Sequence, residues 1–155
     1  MQTLTPFNAA DSTIHKTGII LASQSPRRKQ LLEWAEIPFE IIVKETDESY
    51  PADLHMEDIA VHIANNKALA VLNAHHITVP VLAADTIVVL EDNVIGKPKD
   101  REDAIAILTA LSGKIHRVIT GVVILHQDTK IAFADTTEVS CHALTPEQII
   151  FYVDK

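Results

Sequence analysis

The sequence predicts a mixed α/β fold, and three observations carry that expectation. Its 155 residues suffice for one domain with a buried core. Apolar, strand-like runs alternate with stretches of helical periodicity over most of that length. Two long strand-like runs, "KIHRVITGVVIL" and "KIAFADTTEVSCHAL", then follow one another across only the polar "HQDTK". So short a connection joins antiparallel strands, which excludes a purely parallel doubly wound sheet.

The elements are legible in order. Residues 1–16 lack the basic-then-apolar order of a signal peptide and read as a flexible leader before a single domain over 17–155. "TGIILAS" reads as a short buried strand. Ser25 suits an N-cap and Pro26 the first helical position, opening a helix through "PRRKQLLEWA". Pro38 to Val43 forms a second strand, and the acidic loop "KETDESYPAD" follows. A helix runs from Met56 to Ala74. "VPVLAADTIVVL" is a strand rich in β-branched residues, and "EDN" turns the chain back into "VIGKP". Asp100 with Asp103 resembles a capping arrangement for "DREDAIAILTALSG", and Gly113 stops that helix. Thr145 and Pro146 open a last helix that reaches Lys155.

Composition narrows the function classes. With 47% hydrophobic and 22% charged residues the chain is an ordinary globular one, not a disordered one. Its 21 acidic against 13 basic residues, a net charge of −8, speak against a broad basic face for polynucleotides. A small anion needs only a few focused cations and stays open. The single cysteine, Cys141, rules out an intramolecular disulfide and fits a reducing compartment. Its alternation with Phe133 and Val139 places it in a sheet. No apolar run approaches the roughly 18 residues of a membrane span, so a soluble, cytoplasmic protein is expected. The eight histidines show no zinc spacing and read as surface or incidental residues.

Five features look chemical. Arg27 and Arg28 fall in the first turn of a helix, where cations oppose the dipole unless an anion sits there. With Ser23 and Ser25 they form a strand, tight turn and helix start, a recurrent way to bind phosphate. Asp85 interrupts an otherwise apolar strand; it is either a structural cap or a general base or metal ligand facing a cleft. Lys67 lies in the helical row of Met56, Ile59, Ala60, Ile63, Ala70 and Val71, so it either snorkels out or points into an anion pocket. Lys97 is fixed on a turn by Gly96 and Pro98. The acidic run Glu45, Asp47, Glu48 is either a solvated face or lends one carboxylate to join Asp85 around a hard divalent cation. A second Ala-Asp-Thr at Ala134–Thr136 repeats Ala84–Thr86 and is assigned no role. No Walker loop is present.

Taken together, "SQSPRRKQLL", "TDES", "NNKALAV", "AADTIVVLEDNVIGKPKD" and "LSGKIHRVITGV" resemble, in content and order, the Maf-like nucleoside triphosphate pyrophosphatases. The resemblance implies a Maf/ITPase-like α/β fold, a long twisted mixed sheet flanked by helices with a central nucleotide-binding cleft. It implies hydrolysis of a nucleoside triphosphate to monophosphate and pyrophosphate with a divalent cation, Mg²⁺ or Mn²⁺. Asp85 corresponds to the catalytic base, Ser23, Arg27, Arg28, Lys67 and Lys97 to the phosphate-binding set, and Glu48 to the acidic-loop carboxylate. The arginine pair and Thr86 match the branch acting on dTTP and UTP, which makes Arg27 and Thr86 the specificity positions. Homodimerisation is implied as well, and the alternating "IAFADTTEVSCHA" is an edge that can pair between subunits. Family members continue into a GEPxDKAGxYxIQ-like segment, whereas this sequence stops at "FYVDK".

Together these residues suggest a mechanism. Forked arginines and point-charge lysines hold the phosphates. Glu48 and Asp85 hold the cation, and Asp85 directs water at the α-phosphorus. A nucleotide-binding regulator of septum formation is the alternative, but it needs the cations and not Asp85. A nucleotidyl transferase would show a glycine-rich first loop, and "LASQSPRR" has no glycine.

Overall fold

Ten elements follow one another in the computed structural model, which describes residues 18–155; the expected leader over 1–16 lies outside them. They are β1 (Ile19–Leu21), α1 (Pro26–Trp34), β2 (Phe39–Ile41), α2 (Met56–Ala74) and β3 (Val81–Leu90), then β4 (Asn93–Ile95), α3 (Arg101–Leu111), β5 (Ile115–His126), β6 (Thr129–Ser140) and α4 (Pro146–Asp154). The strands form one mixed sheet in the order β2-β1-β3-β5-β6, with β4 paired to β3. β1 runs parallel to both β2 and β3, in register Ile19 with Phe39 and Ile20 with Val81. β4 returns antiparallel, Val89 opposite Val94.

Local chemistry sets the boundaries. Ser25 caps α1 by accepting the Arg28 amide N–H at 3.3 Å, with Pro26 in the first turn. Asp100 caps α3 by accepting from Asp103 N–H at 2.8 Å, and Asp103 reaches back past the cap to the Lys99 amide at 2.9 Å. Thr145 and Gln148 complete a capping box at α4. Gly113 follows α3 at φ 71, the left-handed geometry that ends helices. Glu91 and Asp92, at φ 52 and 65, make the tight turn between β3 and β4. Both central residues at positive φ is the two-residue hairpin geometry that fits strand twist.

Three expectations need correction. The turn joining β5 to β6 is only Gln127–Asp128, because Thr129 and Lys130 already belong to β6. β6 ends at Ser140, so Cys141 is not a strand residue; it is half-buried beyond the strand end, its amide donating to the Lys114 carbonyl at 2.9 Å. Phe133, expected to share its packing, is 52% exposed, because β6 is the last strand in the sheet order. His116 is half-buried, its Nδ1 enclosed without a hydrogen-bond partner among the described residues.

The chain divides into two compact units, one taking the chain up to Asp85 with Thr120–Ala134, the other Thr86–Ile119 with Asp135–Lys155. In the first, α2 lies on the sheet around Ile20, Ala64, Ala68, Val71, Val81, Ala83 and Val123. In the second, α3 packs on α4, whose Ile149 is buried. Among the described residues no helix is long and apolar enough to cross a membrane.

The contact of α2 with β5 is unusually close. Ala60, Ala64 and Ala68, a row four residues apart, are fully buried. A Cβ at Gly121 would stand 2.4 Å from the Ala60 carbonyl carbon and the Val61 nitrogen. Glycine in a strand interior marks such an approach. Gly121→Ala should therefore destabilise the protein by about 1–3 kcal/mol, read as a lower urea midpoint; an unchanged midpoint would refute the close packing.

Candidate active site

The site begins where β1 ends. Ser23 is buried, and its Oγ accepts the Ser25 amide N–H at 3.1 Å and Arg28 Nη1 at 3.3 Å. Arg28 Nη1 also donates to the Ala84 carbonyl at 3.2 Å. The first turn of α1 is thus tied to β3 at the residue before Asp85. Burial pulls the Arg28 pKa below the ordinary arginine value, and the nearby Asp85 charge works against that. Arg28 stays cationic regardless.

Asp85 is only 15% exposed on its side chain, and it is not left unpaired. Lys67 Nζ donates to its Oδ1 at 2.9 Å and contacts Glu48 Oε1 at 3.3 Å. Lys67 is on α2 between the buried Ile63 and Val71, so its stem starts from the packed face. Burial acts to lower its pKa, but the hydrogen bond and charge of Asp85, then those of Glu48, outweigh this and raise it. The Lys67 ammonium is thus held by two carboxylates, its side chain only 24% exposed. Glu48 is a mostly solvated carboxylate, its side chain 60% exposed, that also reaches the Lys67 ammonium. Asp47 shapes that loop by accepting the Ser49 amide at 2.9 Å, a local Asx turn.

The two arginines part company. Arg28 turns inward, while Arg27 is exposed and makes no ion pair among the described residues. It lines a shallow depression of about 410 Å³ with Pro26, Lys29, Gln30 and Glu33. No acidic residue occupies the first turn of α1. The structure therefore brings Ser23, Ser25, Arg28, Glu48, Lys67 and Asp85 together in the first unit. Thr86 and Lys97 belong to the second, both exposed, one in β3 and one in the loop after β4. Asp135 of the repeated tripeptide is exposed on β6. Sequence reasoning did not find the Ala84 carbonyl, since a backbone acceptor leaves no trace in residue identity.

Mg²⁺ and Mn²⁺ are hard cations that take oxygen ligands. Among the described residues no cluster of three or more His, Cys, Asp or Glu exists, so the protein offers two carboxylates. Glu48 and Asp85 each direct an oxygen at one nitrogen, which keeps those oxygens close together. Two carboxylates completed by waters and phosphate oxygens suit Mg²⁺ or Mn²⁺, which rarely take an all-protein cage. The residues fit the group.

The raised pKa of Lys67 carries a stability consequence. Its contribution is present in full below the unfolded lysine value, about 10.4, and is lost as pH climbs through the higher folded value. Urea midpoints of the wild type and Lys67→Met should differ at neutral pH and converge at high pH. A gap that persists unchanged would show that the charge of Lys67 contributes nothing.

The sequence model described as "Maf-like protein" matches residues 18–155. A dTTP/UTP pyrophosphatase of Bacillus cereus strain G9842 is 48% identical over 137 residues, covering 87% of this chain and 70% of the relative. A dTTP/UTP pyrophosphatase of Bacillus anthracis is 49% identical over the same shares. Among solved structures, the Ham1 protein of Staphylococcus aureus superposes with a TM-score of 0.56 at 14% identity, over 79% of this chain and 70% of that one. That likeness is one of fold alone and agrees with an open mixed sheet. Joined to the arginine turn, the buried Asp85 and its lysine, a family match running the length of the described residues makes this chain a member of the Maf-like family.

Proposed function

We propose that the chain is a nucleoside triphosphate pyrophosphatase that converts dTTP and UTP to the monophosphate and pyrophosphate. Asp85 carries this reading, being a shielded carboxylate held in place by Lys67 at 2.9 Å beside a cationic helix start. A protein that only bound phosphates, without a metal, would gain nothing from a carboxylate there. The curated relatives named for dTTP and UTP supply the substrate class.

Asp85 orients a water and takes its proton as the water oxygen bonds to the α-phosphorus; the α-phosphorus bond to the bridging oxygen breaks and pyrophosphate leaves. Arg28, locked by Ser23 and Ala84, keeps positive charge at the α1 N-terminus, where the amides and the dipole also favour phosphate. Arg27, exposed at the same turn, adds forked donors. Lys67 offers a point charge on the other side of Asp85, and Lys97 another from its loop. A divalent cation held by Glu48 and Asp85 would neutralise charge at the α-phosphate and acidify water. Positioning and charge stabilisation do most of the work in such chemistry. Arg27 and Thr86 would set base preference.

The test is to incubate the protein with dTTP, UTP, dCTP, GTP and ATP in turn, with Mg²⁺ or Mn²⁺, and to separate the products. Monophosphate plus pyrophosphate is expected from dTTP and UTP. Asp85→Asn should lower kcat by about 10²–10⁴-fold with the circular dichroism spectrum unchanged. A folded Asp85→Asn protein that keeps its turnover would end the assignment. Arg27→Ala should raise KM or alter the ranking of bases more than it changes the urea midpoint. Identical kinetics across the triphosphates would take Arg27 out of the site.

A further inference from the structure

We propose that Lys67 makes cation binding at this site dependent on nucleotide, because its ammonium stands between the two carboxylates where the divalent cation would be held. The inference rests on the pyrophosphatase reading and on Glu48 and Asp85 as cation ligands.

Lys67 Nζ lies 2.9 Å from Asp85 Oδ1 and 3.3 Å from Glu48 Oε1. A cation using those oxygens would compete with the ammonium for the same lone pairs and be repelled by its charge. The charge count points the same way. Glu48 and Asp85 are balanced by Lys67 and by Arg28, whose charge is felt at Asp85. A cation arriving alone enters a cluster without net charge and must expel a hydrogen-bonded lysine. Asp85 is shielded from water, which strengthens its hold on that lysine.

A triphosphate reverses this balance. It brings several negative charges and offers Lys67 new oxygen partners. The flexible stem of lysine lets the ammonium move to phosphate without disturbing α2. Glu48, on an exposed loop, is free to regroup around the cation. Lys67 thus excludes free cations, and nucleotide draws it away.

The experiment is a titration of the intact protein with Mn²⁺ in the absence of nucleotide, with free Mn²⁺ read by electron paramagnetic resonance. Lys67→Met should bind Mn²⁺ about tenfold tighter than wild type, or more, since one positive charge at close range has gone. Lys67→Gln, which keeps a donor without the charge, should shift the same way and serves if the methionine variant folds poorly. The gain should vanish in Lys67→Met combined with Asp85→Asn. Equal affinity in the wild type and both single variants overturns the inference, as does a gain that survives Asp85→Asn. Hydrolysis of dTTP by the wild type, measured in parallel, separates the two readings. Turnover with equal Mn²⁺ affinities removes the Lys67 inference alone; tighter binding by the variants without wild-type turnover removes the pyrophosphatase reading alone.

Discussion

The closeness of α2 to the sheet is the constraint on which the candidate site depends. Gly121 lets the Ala60–Val61 backbone of α2 approach β5 without a side chain between them, and the buried Ala60, Ala64 and Ala68 keep that face of the helix small. Lys67 directly precedes the last of those alanines, so its position is set by backbone packing rather than by the reach of its own stem. Were the helix lifted by one methyl group's thickness, the 2.9 Å bond to Asp85 would have to stretch or tilt. Hydrogen bonds weaken steeply under such changes. Small residues far from any chemistry thereby hold two charged groups in register.

The same first unit solves an electrostatic problem at α1. Two arginines and no acidic residue in a first turn should weaken a helix. Arg28 escapes by folding back on Ser23, the Ala84 carbonyl and the field of Asp85. Arg27 has no such relief, and its cost is left standing at the helix surface. An uncompensated cation at a helix N-terminus, on the positive end of the dipole, suits an incoming anion.

Much of this was legible in residue identities. Ser25, Pro26, Asp100, Gly113 and Thr145 mark helix ends because capping and left-handed geometry are local properties. Asp85 and Lys67 announced themselves as charges set in apolar runs, since burial without a partner is costly. Their pairing with each other was not legible: 18 residues separate them, and only the packing of α2 joins them. In the acidic loop only the family resemblance singled out Glu48, because by residue type Glu45, Asp47 and Glu48 look alike until the loop is folded. The end of β6 was missed because its alternating pattern continues beyond Ser140, while pairing within the sheet stops there. Residue type could not distinguish an inward Arg28 from an outward Arg27, since adjacent helix positions face different ways.

The outer strand β6 has a consequence for how the molecule behaves in bulk solution. Ile131 and Phe133 are half exposed on the last strand of the sheet order. Such an edge is a template on which a second molecule can lay a strand. Mutual repulsion opposes this while the net charge stays at −8. That repulsion reaches only about 8 Å at physiological ionic strength. It disappears as acidification approaches the isoelectric point near 5.4. Colloidal stability is therefore greatest in dilute salt above neutrality, and turbidity on mild acidification would begin at this edge while the cores of both units remain folded.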